Sequence, residues 1–270
     1  MRRFMVLTIV LLAIIVTAAQ SQPSREITKT IPLPLNGHLT VDTYKGSISV
    51  STYDKPQVEV AVKIESDDMD SPNAEQDVED TEIEFSGSGN EITIHSNYRK
   101  VERNNNFNFW DWITDPHEIS HSLPSIHYTI KMPRTAELKI KDYKSETHID
   151  GLVSYLTLNT YKGTVEVTDL KGGVDLETYK GDVRLSFASL ENDSHFETYK
   201  GTIVVTTPKQ AGFSLRTDFE KRAHFSTDFD VQTHERDRKH RQYDYFGKIN
   251  GGGPMLEFNS NKGNIRLRSK

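Results

Sequence analysis

The chain has 270 residues, a formal net charge of −6 and no cysteine. An acidic chain of this kind is not typical of a nucleic-acid-binding protein. Its length allows one large domain or two small ones. Without disulfides, the fold must rest on packing and hydrogen bonds.

Residues 1–21 have the three-part layout of a secretory signal peptide. Arg2 and Arg3 precede a 12-residue, mostly apolar segment at 5–16, and small and then polar residues follow. That segment is shorter than the ~20 residues that a membrane-spanning helix needs. We therefore predict cleavage, export to the periplasm or cell surface, no transmembrane span in the remaining chain and a net charge of −8. An uncleaved membrane anchor is the alternative.

The segment before the main repeats predicts a few longer strands. Alternating apolar residues indicate strands at 58–64 and 125–132, separated first by an acidic loop at 65–80. The runs 81–85 and 91–95 flank a Ser-Gly-Ser-Gly-Asn stretch and predict a hairpin.

Residues 99–124 form an insertion in this pattern, and they contain an aromatic cluster with Trp110 and Trp112. An exposed aromatic cluster would mark a site for a partner or a membrane interface. The alternative is a lid that covers one end of the domain and an exposed sheet edge.

The insertion also contains an HExxH string, His117-Glu118-Ile119-Ser120-His121. On a helix the two histidines would share a face for zinc, Glu118 could activate a bound water, and His127 has the spacing of a third ligand. However, Pro124 stands where zinc peptidases of this pattern have a glycine, and His127 begins a predicted strand. We therefore expect no metal or other cofactor, and a zinc-dependent hydrolase using 117–121 is the alternative function.

From Pro133 onward, the chain repeats a T-Y-K-G-x-V-x-V unit in pieces of about nine residues. Lys144, Lys162 and Lys180 are spaced by 18 residues, and Lys200 follows 20 residues later. Each piece combines a turn with a short strand whose apolar residues alternate. The unit also occurs at 43–50 and 261–267, whereas 233–242 is a highly charged segment that predicts a loop.

Energetics favour stacking of these units. An 18-residue coil buries only about four aliphatic side chains, worth roughly 1.5–3 kcal/mol each. Ordering its backbone costs roughly 1–2 kcal/mol per residue, so one coil cannot fold alone. Coils stacked about 4.8 Å apart pair their strands and share one apolar core. We therefore predict a single all-β domain over 22–270, a β-solenoid (β-helix-like) fold with about 18 residues per coil.

These units, the strand ending at Pro133 and the closing segment GKINGGGPMLEFNSNKGNIRL resemble the DUF4097 family of exported, adhesin-like bacterial β-repeat proteins. The resemblance covers roughly 27–267. It implies a right-handed β-solenoid in the periplasm or at the cell surface, and it supplies no catalytic residues. The insertion at 99–124 departs from the family pattern.

The repeat further predicts a column of stacked tyrosines with lysines beside them. The tyrosines are Tyr44, Tyr143, Tyr161, Tyr179 and Tyr199, and each is followed by a lysine. Carboxylates two or three residues before four of these lysines are expected to offset their repulsion: Asp42, Asp142, Glu177 and Glu197. A purely structural, self-neutralised edge is one interpretation. A strip that binds an extended anionic or sugar polymer is the other.

We predict a non-catalytic exported protein with an adhesin-like binding or structural role in the cell envelope. Its expected partner is an envelope polysaccharide or a surface protein. Outward carboxylates such as Asp175 and Glu177 are ordinary on a solenoid and give little support to a polysaccharide hydrolase. The candidate binding residues are Tyr161, Lys162, Tyr179, Lys180, Tyr199, Lys200, Trp110 and Trp112.

Overall fold

The computed structural model describes residues 22–68, 71–104, 123–220, 222–231, 233–237 and 242–270. The predicted signal peptide lies outside these ranges, as do four candidate site residues of the insertion: Trp110, Trp112, His117 and His121.

The described residues form nineteen strands and two short helices. In chain order these are β1 (Ser24–Pro32), β2 (His38–Tyr53), β3 (Gln57–Glu65), α1 (Ala74–Asp80), β4 (Glu82–Ser86), β5 (Glu91–Asn97), α2 (Arg99–Asn104), β6 (Ser125–Pro133), β7 (Glu137–Asp150), β8 (Leu156–Thr160), β9 (Thr164–Leu170), β10 (Val174–Thr178), β11 (Asp182–Phe187), β12 (Ser194–Thr198), β13 (Thr202–Thr207), β14 (Phe213–Phe219), β15 (His224–Thr227), β16 (Thr233–Asp237), β17 (Gln242–Ile249), β18 (Met255–Ser260) and β19 (Asn264–Ser269).

The strands make two rows that meet at the T-Y-K-G corners. In the first row, β5, the start of β2, the start of β7, β8, β10, β12, β18 and β14 pair in parallel, in that order. In the second row, β6, the end of β2, the end of β7, β9, β11, β13, β19 and β15 do the same. Strands β2 and β7 are long enough to pass through the corner and contribute to both rows. We call one first-row strand with its following second-row strand a coil.

Antiparallel strands extend both rows beyond the parallel coils. At the N-terminal end, β3 pairs with β6, β1 pairs with β3, and β4 pairs with β5. At the other end, β17 pairs with β14 and β16 pairs with β17.

The register places equivalent residues of successive coils side by side. Val174 pairs with Leu156, and Asp182 pairs with Thr164, so these partners are 18 positions apart. The separation grows to 20 between Asp175 and His195, because the preceding connection is two residues longer.

The alternation of the repeat produces the core. In the strands of the central coils, buried apolar residues alternate with outward polar ones, as in β10 and β11. Buried side chains of the first row form columns across the coils, one of which contains Ile140, Leu158, Leu176, Phe196 and Phe258. The last two rings stack with centroids 5.0 Å apart. The all-β prediction is confirmed, and the fold is β-solenoid-like.

The order of coils in space differs from their order in the chain. The coil formed by β18 and β19 lies between the β12–β13 coil and the β14–β15 coil. Likewise, β2 lies between the strands β5 and β6 on one side and β7 on the other. The repeat units near both ends of the chain therefore fill internal positions of the stack.

The segments outside the repeat agree only partly with the sequence predictions. The hairpin over 81–95 is confirmed as the antiparallel pair β4–β5. The predicted loop 65–80 contains α1, whose Val78 is buried against the core. The loop prediction for 233–242 is wrong for 233–237, which forms β16 because β17 offers it a free edge. Within the described ranges, no helix has the length and apolar character needed to cross a membrane.

Candidate functional site

Each T-Y-K-G corner is closed by the hydroxyl that begins it. Thr160 Oγ1 accepts a hydrogen bond from Gly163 N–H at 2.9 Å. Thr178 does the same for Gly181 at 2.8 Å, and Ser260 does so for Gly263 at 3.0 Å. A threonine or serine that bonds a backbone group three residues on stabilises a turn. The corner therefore turns the side chains of the tyrosine and lysine outward while its own polar groups are satisfied.

The corner glycines are needed for close approach of the coils. A Cβ on Gly181 would lie 2.3 Å from the carbonyl oxygen of Gly163, and one on Gly201 would lie 2.0 Å from that of Gly181. The φ angles of Gly163, Gly181 and Gly201 lie outside the left-handed region. A requirement for positive φ at these glycines is therefore not the reason for the motif.

The tyrosines of successive corners form a continuous stack. We call Tyr44, Tyr143, Tyr161, Tyr179 and Tyr199 the tyrosine ladder. The ring centroids of Tyr143 and Tyr161, of Tyr161 and Tyr179, and of Tyr179 and Tyr199 are each 4.7 Å apart. Those of Tyr44 and Tyr143 are 5.1 Å apart, with an interplanar angle of 11°. This spacing equals the distance between paired strands, so the backbone register determines the stack.

The ladder presents ring edges and hydroxyls, because its ring faces cover one another. At the N-terminal end, Tyr98 packs against Tyr44 in a T-shaped contact with centroids 6.1 Å apart. At the other end, Lys262 Nζ lies 5.0 Å from the ring centroid of Tyr199 and donates a hydrogen bond to its hydroxyl at 3.1 Å. A sugar ring cannot stack on a tyrosine face within the ladder. A ligand along the ladder would therefore contact ring edges and hydroxyl groups.

Hydroxyl acidity varies along the ladder. Burial, and secondarily Tyr161, raises the pKa of Tyr143 to about 12. The hydrogen bond from Lys262 lowers the pKa of Tyr199. The two ends of the ladder therefore differ in the environment of their hydroxyl groups.

A row of ammonium groups runs beside the ladder. We call the exposed side chains of Lys144, Lys162, Lys180 and Lys200 the lysine row. The Nζ atoms of Lys180 and Lys200 lie 5.3 and 5.6 Å from the ring centroids of Tyr179 and Tyr199, within the range of a cation–π contact. In the part of the chain that the structure describes, no carboxylate oxygen lies within 4.0 Å of any Nζ atom of this row.

The carboxylates that were expected to neutralise the lysines are placed elsewhere. Asp142 is buried, Lys45 pairs with Asp67 rather than Asp42, and Glu177 and Glu197 lie on the outer face of the first row. The prediction of a self-neutralised edge is therefore wrong, because the corner separates these carboxylates from the ammonium groups of the lysines. Two unit charges about 5 Å apart in water repel by about 0.8 kcal/mol, so the unneutralised row carries a small cost.

A long groove of about 1170 Å³ runs along the other side of the ladder. Its floor and walls include the tyrosines and a register column of polar side chains: Asp42, Lys141, Asn159, Glu177 and Glu197. Tyr98, Arg99 and Leu123 line it where the insertion joins the fold. The lysine row does not line the groove. The ladder thus separates a cationic strip from a polar groove with an acidic half.

Asp142 stands in the column where other coils have Thr160, Thr178 and Thr198. Its Oδ2 atom accepts a hydrogen bond from Ser145 N–H at 2.7 Å, so it closes the corner as a threonine does elsewhere. Burial raises the pKa of Asp142 to about 6, although hydrogen bonds from Ser145 and Thr160 act in the opposite direction.

Of the three histidines proposed as zinc ligands, His127 alone lies within the described residues. Its Nδ1 atom is 2.8 Å from Ser47 Oγ, and its Nε2 atom is 3.0 Å from Glu65 Oε1. Both ring nitrogens are therefore engaged by other side chains. Across the described ranges, no three His, Asp or Glu side chains are grouped so that they could hold a metal ion.

Several residues that line the groove were not predicted from the sequence. Tyr98, His95 and Asn159 line the groove, but none belongs to a repeated tyrosine or lysine position. Lys141 and Asn159 could have been found from their common place two residues before a ladder tyrosine. Tyr98 could not, because its contact with Tyr44 joins separate parts of the chain.

The stacked coils and the tyrosine ladder at their corners define a β-solenoid-like protein whose coils are held in register. The sequence profile of the Toastrack DUF4097 family matches residues 120–268, more than half of the chain. The chain belongs to this family. No curated protein matches the sequence.

Two solved bacterial structures are among the matches to this chain. A "putative cell adhesion protein" from Clostridium sporogenes ATCC 15579 is 15% identical, with a TM-score of 0.53 over 92% of this chain and 100% of that chain. A "putative adhesin" from Bacteroides fragilis NCTC 9343 is 12% identical, with a TM-score of 0.45 over 93% of this chain and 100% of that chain. At this identity, the likeness to the Clostridium protein shows the fold alone.

Proposed function

We propose that this chain is an exported, non-catalytic protein that binds an extended polymer of the cell envelope or cell surface along the tyrosine ladder. The observation that carries the proposal is the ladder itself, five tyrosines in a row with a groove of about 1170 Å³ beside them. A linear ligand with repeating groups can make the same contact at each coil. Weak contacts then add up along its length.

The chemistry of the groove suits a hydroxyl-rich chain. Tyrosine hydroxyls, the amide of Asn159 and the carboxylates of Glu177 and Glu197 can donate to or accept from sugar hydroxyls. The name of the Clostridium neighbour, a "putative cell adhesion protein", agrees with a role in surface binding. An envelope polysaccharide is the partner that these groups favour, and a segment of a surface protein is the alternative.

The proposal includes the export and architecture inferred from the sequence. Residues 1–21 are removed as a signal peptide, and 22–270 fold as one right-handed domain with about 18 residues per coil. Trp110 and Trp112, which lie outside the described residues, are proposed as additional contacts on the basis of the sequence alone. The N-terminal sequence of the exported protein would test the cleavage.

The test of the function is a binding assay with polysaccharide purified from the envelope of the source cells. A Tyr161→Ala/Tyr179→Ala double variant interrupts the ladder at its centre, and we expect at least about a tenfold loss of affinity from two lost contacts. Tyr155→Ala is the matched control, because Tyr155 is an exposed tyrosine outside the ladder. Equal binding by the double variant and the parent would refute the proposal.

A further inference from the structure

We propose that the ligand of this edge is an anionic polysaccharide whose negative groups lie against the lysine row. This inference rests on the proposed function and gives the ligand its charge and chemical class. The lysine row supports it, whereas the tyrosine ladder supports the binding role itself.

The spacing of the lysine row is fixed by the backbone. Lys162 N–H donates to the carbonyl oxygen of Tyr143 at 2.8 Å, Lys180 N–H to that of Tyr161 at 2.8 Å, and Lys200 N–H to that of Tyr179 at 2.9 Å. Each lysine is therefore anchored one coil after the last, about 4.8 Å along the stack. This distance is shorter than the Debye length of about 8 Å at physiological salt, so neighbouring ammonium groups act together on one ligand.

The lysines that flank the row at its two ends already have partners within the protein. Lys45, one coil before Lys144, has Asp67 at 2.7 Å from its Nζ atom. Lys262, one coil after Lys200, donates to the hydroxyl of Tyr199. The four lysines between them are exposed and have no carboxylate within 4.0 Å among the described residues. A linear anion would relieve their mutual repulsion, whereas a neutral polymer would not.

The geometry of the tyrosine ladder favours a carbohydrate ligand over a nucleic acid. Single-stranded nucleic acids bind through bases that stack on exposed aromatic faces. Here the ring faces are covered by neighbouring rings 4.7 Å away, and hydroxyls and ring edges are what remains. On the far side of the ladder, Glu177 and Glu197 would repel a broad polyanion. A narrow chain that combines hydroxyl groups with anionic groups fits both sides.

The test compares dextran sulfate with unsulfated dextran of the same length. The parent protein should bind dextran sulfate and not dextran, and its affinity should fall as NaCl is raised. A variant that neutralises the centre of the row should lose roughly tenfold or more in affinity, since three ionic contacts are removed together. Its substitutions are Lys162→Gln, Lys180→Gln and Lys200→Gln.

The matched control removes the same charge from other parts of the surface. It replaces three exposed lysines that lie outside the row and the groove: Lys131→Gln, Lys171→Gln and Lys209→Gln. We expect the control to bind dextran sulfate within about twofold of the parent, because contacts beyond a Debye length are screened. Thermal unfolding of both triple variants verifies that each is folded.

Other outcomes would overturn the inference in distinguishable ways. Equal binding of dextran and dextran sulfate, or an equal loss in both triple variants, would exclude specific recognition of charge by the row. Tighter binding of single-stranded DNA than of dextran sulfate at equal charge concentration would exclude a carbohydrate ligand. If the lysine variant keeps its affinity for envelope polysaccharide while Tyr161→Ala/Tyr179→Ala loses it, the proposed function stands and only the anionic ligand is wrong.

Discussion

Replacing Asp142 by threonine should stabilise the protein at neutral pH. Threonine can accept the Ser145 N–H bond just as Thr160 accepts that of Gly163, and it brings no charge into the corner. The carboxyl group of Asp142 is only 9% exposed, and burial raises its pKa from 3.8 to about 6. A rise in pKa of this size means that folding disfavours the ionised carboxyl group relative to the protonated one by about 3 kcal/mol.

The sign of the effect follows from linkage. Because the folded-state pKa lies above the unfolded value, the folded protein binds the proton more tightly, and its stability falls as the pH rises from about 4 to about 6. Below that window both variants are neutral at this position, and above it the cost of the buried charge is fully present. We expect Asp142→Thr to raise the free energy of unfolding by roughly 1–3 kcal/mol at pH 8, and by much less at pH 4.

Urea denaturation of the parent and the variant at several pH values between 4 and 8 measures this difference. Glu146→Gln is the matched control, because Glu146 is an exposed carboxylate on the same strand. Its effect should be small at every pH. A loss of stability in Asp142→Thr at pH 8, or a difference that does not change between pH 4 and 7, would show that the corner does not destabilise the ionised carboxyl group.

Three further predictions concern the corners and the metal alternative. Gly181→Ala should lower the free energy of unfolding by roughly 1–3 kcal/mol in thermal or urea denaturation, because its Cβ would meet the Gly163 carbonyl. Gly247→Ala serves as the control, because the space around that position is open. Thr178→Val should cost roughly 1–3 kcal/mol by leaving a buried N–H without an acceptor, and the serine variant at the same position should recover most of that loss. Elemental analysis of the purified protein should detect no stoichiometric zinc. Zinc that disappears in His121→Ala would instead show a metal site at 117–121 and overturn the prediction of no metal.

The tyrosine ladder could be predicted because three facts about it are local. From Tyr143 onward the tyrosines recur with the period of the coil, each ladder tyrosine except Tyr143 follows a threonine, and each precedes a strand segment with one apolar face. Parallel pairing in register then stacks them. The burial of Asp142 could not be predicted in this way. Asp142 is only two residues from Lys144, and this spacing does not show that the corner buries the aspartate and exposes the lysine.

The spatial order of the coils could not be predicted from the repeat pattern either. The unit at 261–267 has the same pattern as its neighbours, and any exposed coil offers an equivalent edge to it. Its position between β12–β13 and β14–β15 depends on the longer connection formed by 228–254, which carries β16 and β17. The repeat pattern itself specifies which side chains stack, but not which coils become neighbours.

The internal place of the last coil has a consequence for biogenesis. Until residues 255–270 have been synthesised, the coil at 213–227 lacks the strands on which it rests, and the ladder side of the stack ends at Tyr199. A chain that lacks residues 255–270 therefore cannot complete its hydrophobic interior from the N-terminus onward. For the export proposed above, delayed closure of this kind would keep the polypeptide unfolded enough to pass through a secretion channel.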